Sequence, residues 1–365
     1  MGEIFNITQF LKSAVAAGAS DEHLKVGQPP FIRKNGTIKK INMPILTKEA
    51  LERAILEIVP TSLIDDVATC RDIDFMFEIK GFSRFRVNYN RQMGLPALVI
   101  RNIPYGIPSL SELELPEVLN EIIKYPNGII LVTGPTGSGK STTLASLINE
   151  ISLNDSKHII TIEDPVEYVF NCKKSIISQR QVEVDTESFA SGIKYALRQD
   201  PDVIFIGEIR DKETMQAALK ASETGHLVFS TLHTNDAVQT ISRIVNLFEE
   251  SHRDSIRKQL ADTLRATIAQ KLVYSKELDK RFPACEIMVV TSTIRDYIQK
   301  DKYDDIYDLM EDNSIDNMIS MNSSLAALVA NGFISEEEAL ENSNDPNELD
   351  KIFKGIYQGT KGYYE

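Results

Sequence analysis

The nine residues "GPTGSGKST", Gly134 to Thr142, constrain this chain more than any other stretch. They satisfy G-x-x-x-x-G-K-[ST] in full, directly after the β-branched run "GIILVT" and at the mouth of the helix-forming "KSTTLASLINEI". Gly137 and Gly139 permit backbone angles that turn successive N–H groups toward a phosphate. The helix start adds its dipole. Lys140 has the reach for β- and γ-phosphates, and the Ser141 hydroxyl is a ligand for Mg²⁺. The phosphate cradle is therefore read as Gly134, Pro135, Thr136, Gly137, Ser138, Gly139, Lys140, Ser141 and Thr142.

The surroundings agree with that motif. "HIITIE", "DVIFIGE" and "HLVFSTLH" are strand-length apolar runs, separated by helical stretches such as "ETMQAALKASE". Such alternation predicts a parallel sheet covered on both faces. The first hundred residues differ. "NITQFLKSAVAAG" has helical spacing, and "IDFMFEI", "RFRVNYN" and "ALVIR" read as strands of a small antiparallel sheet. "NIPYGIPSLSELELP" breaks all periodicity and reads as a linker. The expected α/β organisation is an N-terminal domain over 1–103, a linker over 104–116, a nucleotide-binding core over 117–290 and a helical, acidic C-terminal region over 291–365. The tail "GTKGYYE" is expected to fray.

Composition narrows the class. A length of 365 residues predicts two domains. No run approaches the roughly 18 apolar residues of a membrane span, and the start "MGEIFNITQF" lacks the pattern of a signal peptide. Cys70, Cys172 and Cys285 form no CxxC pair, so a reducing cytoplasm is expected rather than a disulfide or zinc framework. A formal net charge of −13 argues against a protein that coats nucleic acid.

Two acidic strand ends compete to serve the phosphate site. "HIITIED" ends in Glu163, and "DVIFIGE" ends in Glu208, with Gly207 where many such strands carry Asp. Both would project from the C-terminal edge of a parallel sheet, where open α/β proteins place ligands. "GHLVFSTLHT" adds His226 and His233 at its two ends. Alone they read as polar strand termini; near a γ-phosphate a histidine would sense nucleotide state. Arg84, Arg86, Arg91 and Arg101 crowd the N-terminal strands, either as a solvated face or as forks for a phosphate on a neighbouring subunit.

Taken together, "GPTGSGKSTT", "IITIEDPVEY", "LRQDPDVIFIGEIRD" and "TGHLVFSTLHTNDAVQTISRIV" resemble the Walker A, Asp, Walker B and His boxes of the PilT branch of the type II/type IV secretion ATPases. "ASDEHL", "PPFIR", "DIDFMFEIKGFSRFRVN" and "IRNIP" resemble its N-terminal part, in the same order. The resemblance implies a PAS-like N-terminal domain, a RecA-like P-loop ATPase domain and a helical C-terminal extension. It implies a Mg²⁺-dependent ATPase that acts as a homo-hexameric motor for type IV pilus retraction and twitching motility, with ATP between the two domains and at the boundary with the next subunit. By the same resemblance Glu163 is the catalytic glutamate, Glu208 holds Mg²⁺ through water together with Ser141, and His226 and His233 couple nucleotide state to domain movement. Arg86 and Arg101 resemble the trans-acting arginines. The implied partners are an inner-membrane pilus platform protein and a second PilT-like ATPase, with no nucleic acid and no membrane insertion. The implied location is the cytoplasm at the inner-membrane pilus base.

Two departures stand out. The family's "ASDLHL" has Glu22 in place of its Leu, and the retraction motif "AIRNLIRE" is represented only by "TIRDYIQK" from Thr293. The second departure touches retraction rather than hydrolysis. It keeps open an accessory, weakly hydrolysing ring subunit. A pilus assembly or type II secretion ATPase is the other alternative, although the four-cysteine insertion of that group is absent from this sequence.

Overall fold

The computed structural model describes residues 5–34, 36–69, 71–103, 106–311 and 317–355. Cys70, Pro104 and Tyr105 of the expected linker, and the tail "GTKGYYE", lie outside the described residues. The chain divides into two compact units, one comprising 1–106 with 167–169, the other 107–166 with 170–365.

The first unit joins a six-stranded antiparallel sheet to helices α1 (Ile7–Ala16), α2 (Lys48–Ile58) and α3 (Ile64–Thr69). Its strands are β1 (Asp21–Lys25), β2 (Phe31–Lys34), β3 (Thr37–Lys40), β4 (Asp72–Ile79), β5 (Ser83–Gln92) and β6 (Leu95–Ile103), in the order β3-β2-β1-β6-β5-β4. The alternation on β5 buries Phe85, Val87 and Tyr89 and leaves Arg84 and Arg86 half-buried on the other face. Those inward residues join Ile7, Leu11, Leu51 and Ile55 of α1 and α2 in one core. The sequence reading found β4, β5 and β6 but missed β1 to β3, which are too short and too polar to show a period.

The second unit is built on a seven-stranded sheet. Its strands are β7 (Gly128–Thr133), β8 (His158–Glu163), β9 (Ile176–Gln181), β10 (Val203–Ile206), β11 (Leu227–Leu232), β12 (Leu264–Ser275) and β13 (Lys280–Val289), in the order β13-β12-β7-β11-β10-β8-β9. All pairings are parallel except β12 with β13. The expected parallel sheet thus carries an antiparallel edge. The hairpin was missed because "ATIAQKLV" offers neither a clean alternation nor a two-residue turn signal. Strands β7, β10 and β11 are buried along their whole length, which explains their continuous apolar character.

Helices α4 (Leu119–Ile122), α5 (Lys140–Asn154), α6 (Phe189–Ala196), α7 (Lys212–Glu223), α8 (Ala237–Asn246) and α9 (Glu250–Thr263) occur along the chain between these strands or just before β7. The C-terminal region is helical from Ser292: α10 (Ser292–Gln299), α11 (Asp304–Glu311), α12 (Met321–Ala330), α13 (Glu336–Asn342) and α14 (Pro346–Phe353). Ile294, Ile298, Ile306 and Met310 of α10 and α11 join the main core, whereas α12 to α14 close a separate cluster over Val273, Phe282 and Ala284.

Candidate functional site

Parallel registry brings four strand ends to one edge of the second sheet. Leu232 lies opposite Thr133, and Ile206 opposite Ile162. The turn after β7, the residues after β10, the end of β8 and the residue after β11 are therefore neighbours on the C-terminal edge.

The turn after β7 is Gly134 to Gly139. Gly134 has φ +140°, and a Cβ there would lie 2.3 Å from the Gln270 carbonyl oxygen, so only glycine fits. Gly139, at φ +89°, is the N-cap of α5 and supplies no capping side chain. That contrasts with α7 and α8, whose first turns are capped by Asp211 and Asp236. The first-turn N–H groups of α5 thus suit an anion. The Ser138 hydroxyl is buried without a hydrogen-bond partner among the described residues. Lys140 is buried and donates to the carbonyls of Gly134 (2.8 Å) and Pro135 (3.0 Å). A cationic side chain folded onto its own loop, below uncapped N–H groups, fits the phosphates of a nucleotide. Pro135, Thr136, Gly137 and Ser141 are exposed at the rim, and Thr142 is half-buried.

The two acids have different settings. Glu163 is 5% exposed, and its Oε1 accepts from Thr161 Oγ1 (2.6 Å) and Gln179 Nε2 (3.3 Å). Glu208 follows β10 and is paired with Arg210 and with His233, whose Nε2 lies 3.4 Å from Glu208 Oε2. The Gly207 N–H donates to the Ile162 carbonyl (2.8 Å), and a Cβ there would sit 3.4 Å from the Glu163 Cα, an ordinary contact, so the backbone brings this position alongside Glu163 without itself requiring glycine. The Asp164–Pro165 peptide is cis.

The histidines separate. His233 reaches the site edge through Glu208. His226 precedes β11, and its carbonyl accepts from Gly128 at the start of β7. A six-residue strand puts His226 roughly 20 Å from the loop. Its Nδ1 is engaged by Thr224 (3.1 Å) and the Ala221 carbonyl (3.0 Å). The resemblance gave both histidines one coupling role; the structure puts them at opposite ends of β11, with only His233 at this edge.

Arg86 and Arg101 belong to the first unit, where they are cross-strand partners on β5 and β6. With Asp21, Asp74, Asn88 and Val99 they line a hollow of about 320 Å³, and Arg101 Nε holds Asp21 at 3.0 Å. Arg84 donates to the Glu167 carbonyl (3.1 Å).

Sequence reasoning missed Thr161, Gln179 and Arg210. Thr161 was legible in principle, because residues two apart on a strand share a face. It also missed Gln270, whose amide donates to the loop from a strand 132 positions away in sequence. Around the altered "TIRDYIQK", Ile294 and Ile298 are buried; of the departures, Thr293, Asp296 and Gln299 are exposed, while Tyr297 is half-buried and packs against the main core, so three of them change a surface and one touches the core. No described helix is long and apolar enough to cross a membrane.

Comparison with known proteins returns the same picture. Residues 4–341 match the model of the Type II/IV secretion system protein family. The type IV pilus retractation ATPase PilT of Pseudomonas aeruginosa is 41% identical over 342 residues, covering 93% of this chain and 99% of that protein. A twitching motility protein of Neisseria gonorrhoeae is 39% identical, covering 92% and 90%. A crystal structure of the pilus retraction motor PilT with bound ADP superposes with a TM-score of 0.86 at 43% identity, over 95% of this chain and 99% of that one.

Proposed function

Because the chain belongs to the Type II/IV secretion system protein family, we propose that it is an ATPase that powers retraction of a type IV pilus. The observation that carries this reading is the convergence of the P-loop, Glu163, Glu208 and His233 on one sheet edge.

In this reading the α5 N-terminus and Lys140 bind the phosphates of ATP, with Lys140 exchanging its two carbonyl partners for phosphate oxygens. Glu163 orients the attacking water and receives its proton; Thr161 and Gln179 fix the carboxylate so that positioning rather than basicity does most of the work. Ser141 and Glu208 would hold Mg²⁺, which neutralises charge on the phosphates when bound. His233 ties Glu208 to the end of β11 and so to the turn that starts α8. Arg86 and Arg101 contact phosphate from a neighbouring copy in a homo-hexameric ring. The ring works on the cytoplasmic face of the pilus base, against a platform protein of the inner membrane and alongside a second retraction ATPase.

Two experiments test this. Purified protein hydrolyses ATP, and Glu163→Gln retains nucleotide binding but loses nearly all turnover; full turnover would move the base to another group. Deletion of the gene leaves cells hyperpiliated and unable to twitch. Loss of pili would instead favour an assembly ATPase.

A further inference from the structure

Gln270 lies on β12, which pairs with the P-loop strand in parallel. The register places Ala269 opposite Thr133, so Gln270 stands beside Gly134, the first residue of the loop. Its side chain is 2% exposed. The Nε2 group donates to the Ser138 carbonyl (2.7 Å), and Oε1 accepts from Thr143 Oγ1 (2.8 Å) in the first turn of α5. The Cys285 thiol approaches the same Oε1 at 4.0 Å. Donors on one side and an acceptor on the other assign the amide orientation without ambiguity.

The loop is wrapped around this residue. A Cβ at Gly134 would collide with the Gln270 carbonyl oxygen at 2.3 Å, and a Cβ at Gly139 would stand 2.8 Å from Gln270 Nε2. Both ends of the glycine-rich turn therefore abut the same glutamine. In a planar trans peptide the C=O and the following N–H point in opposite directions. Anchoring the Ser138 carbonyl on Gln270 therefore points the Gly139 N–H away from that glutamine.

We propose that Gln270 is a positioning residue for phosphate binding: its amide locks the Ser138–Gly139 peptide so that the Gly139 N–H is presented to the nucleotide, which Gln270 does not itself touch. This rests on the ATPase reading above. Thr143 is part of the device, because its hydroxyl keeps Oε1 toward the helix and Nε2 toward the loop.

The test compares the full chain with Gln270→Met, which fills a similar volume without an N–H donor, and with Thr143→Val, which keeps the glutamine but frees its amide to turn. Binding of a fluorescent ADP is titrated at equilibrium well below the unfolding temperature, and kcat and KM are measured for ATP. Gln270→Met is expected to weaken ADP binding roughly ten- to hundredfold, the worth of one charge-assisted hydrogen bond. KM should rise in parallel while kcat falls less, and Thr143→Val should shift both in the same direction by a smaller factor. A general packing role would lower the melting temperature and leave ADP affinity of the folded variants within threefold of the parent; that result overturns the proposal. Should Gln270→Met not fold, Thr143→Val decides alone by the same threefold criterion. Failure of the parent to bind fluorescent ADP would overturn the ATPase reading itself, which the variants do not enter.

Discussion

The Thr161 hydroxyl donates a 2.6 Å hydrogen bond to the Glu163 carboxylate from two positions earlier on the same strand. The two side chains share one face of β8 and are both buried, so the pair is held by strand geometry rather than by a loop. A carboxylate with one lone pair committed to a fixed donor has less freedom to turn.

Thr161→Val keeps the β-branched shape and removes that donor. Gln179 remains on the same oxygen, so Glu163 loses part of its orientation and not all of it. The expected outcome is a fall in kcat of about tenfold, with ADP affinity unchanged. Steady-state kinetics beside a binding titration check this, and an unchanged kcat would remove Thr161 from the mechanism.

Two glycines of the loop predict opposite severities. Gly134→Ala places a Cβ 2.3 Å from backbone oxygen that belongs to another strand, so the loop must move and nucleotide binding should be lost. Gly137→Ala meets nothing within 4 Å and pays only the strain of φ +81°, about 1 kcal/mol. Its binding should weaken by no more than roughly tenfold. The ordering, measured with a fluorescent nucleotide, is the test.

Lys140→Ala removes the buried ammonium that bridges the Gly134 and Pro135 carbonyls. The Pro135 carbonyl borders an exposed turn and can find water, whereas the buried Gly134 carbonyl loses its donor, so stability should fall by about 1–2 kcal/mol. Nucleotide affinity should drop by two orders of magnitude or so, the worth of a charge-assisted contact to phosphate. Thermal melts with and without ADP separate the two effects: without ADP the variant's melting temperature should fall by only a few degrees, and its stabilisation by ADP should be lost.

Glu22 predicts a pH dependence. It lies on β1 between Ile32 and Ile100, in a cross-strand row that continues through Val87 and Phe75, and it is fully buried with neither oxygen hydrogen-bonded among the described residues. Desolvation, helped by the charge of Asp21, pushes its pKa up to about 8 from 4.5. Between those two values the unfolded chain ionises Glu22 while the folded chain holds the proton. The folded state therefore binds more protons, and stability falls as pH rises from about 4.5 to about 8, then levels. The penalty above that window is about 5 kcal/mol at 1.36 kcal/mol per pH unit. Glu22→Leu should flatten this part of the denaturation profile and stabilise the first unit most at high pH. Parallel profiles for parent and variant would show that the carboxyl finds water or a partner.

Much of the catalytic half of this molecule was legible in the sequence because its signals are local. A β-branched run, a glycine turn and a helix start specify β7, the loop and α5 within neighbouring residues, and an acid after an apolar run sits at a strand end wherever that strand lies. The family resemblance gave His226 and His233 one coupling role, but the rise of the strand between them leaves only His233 at the site edge of this chain. Register across long separations decided the rest. It set Gln270 against Ser138, Gln179 against Glu163, and the buried row that encloses Glu22. None of these pairings has a local conformational cost or preference to mark it, since each hydrogen bond and each desolvation arises only when strands distant in the chain are laid side by side.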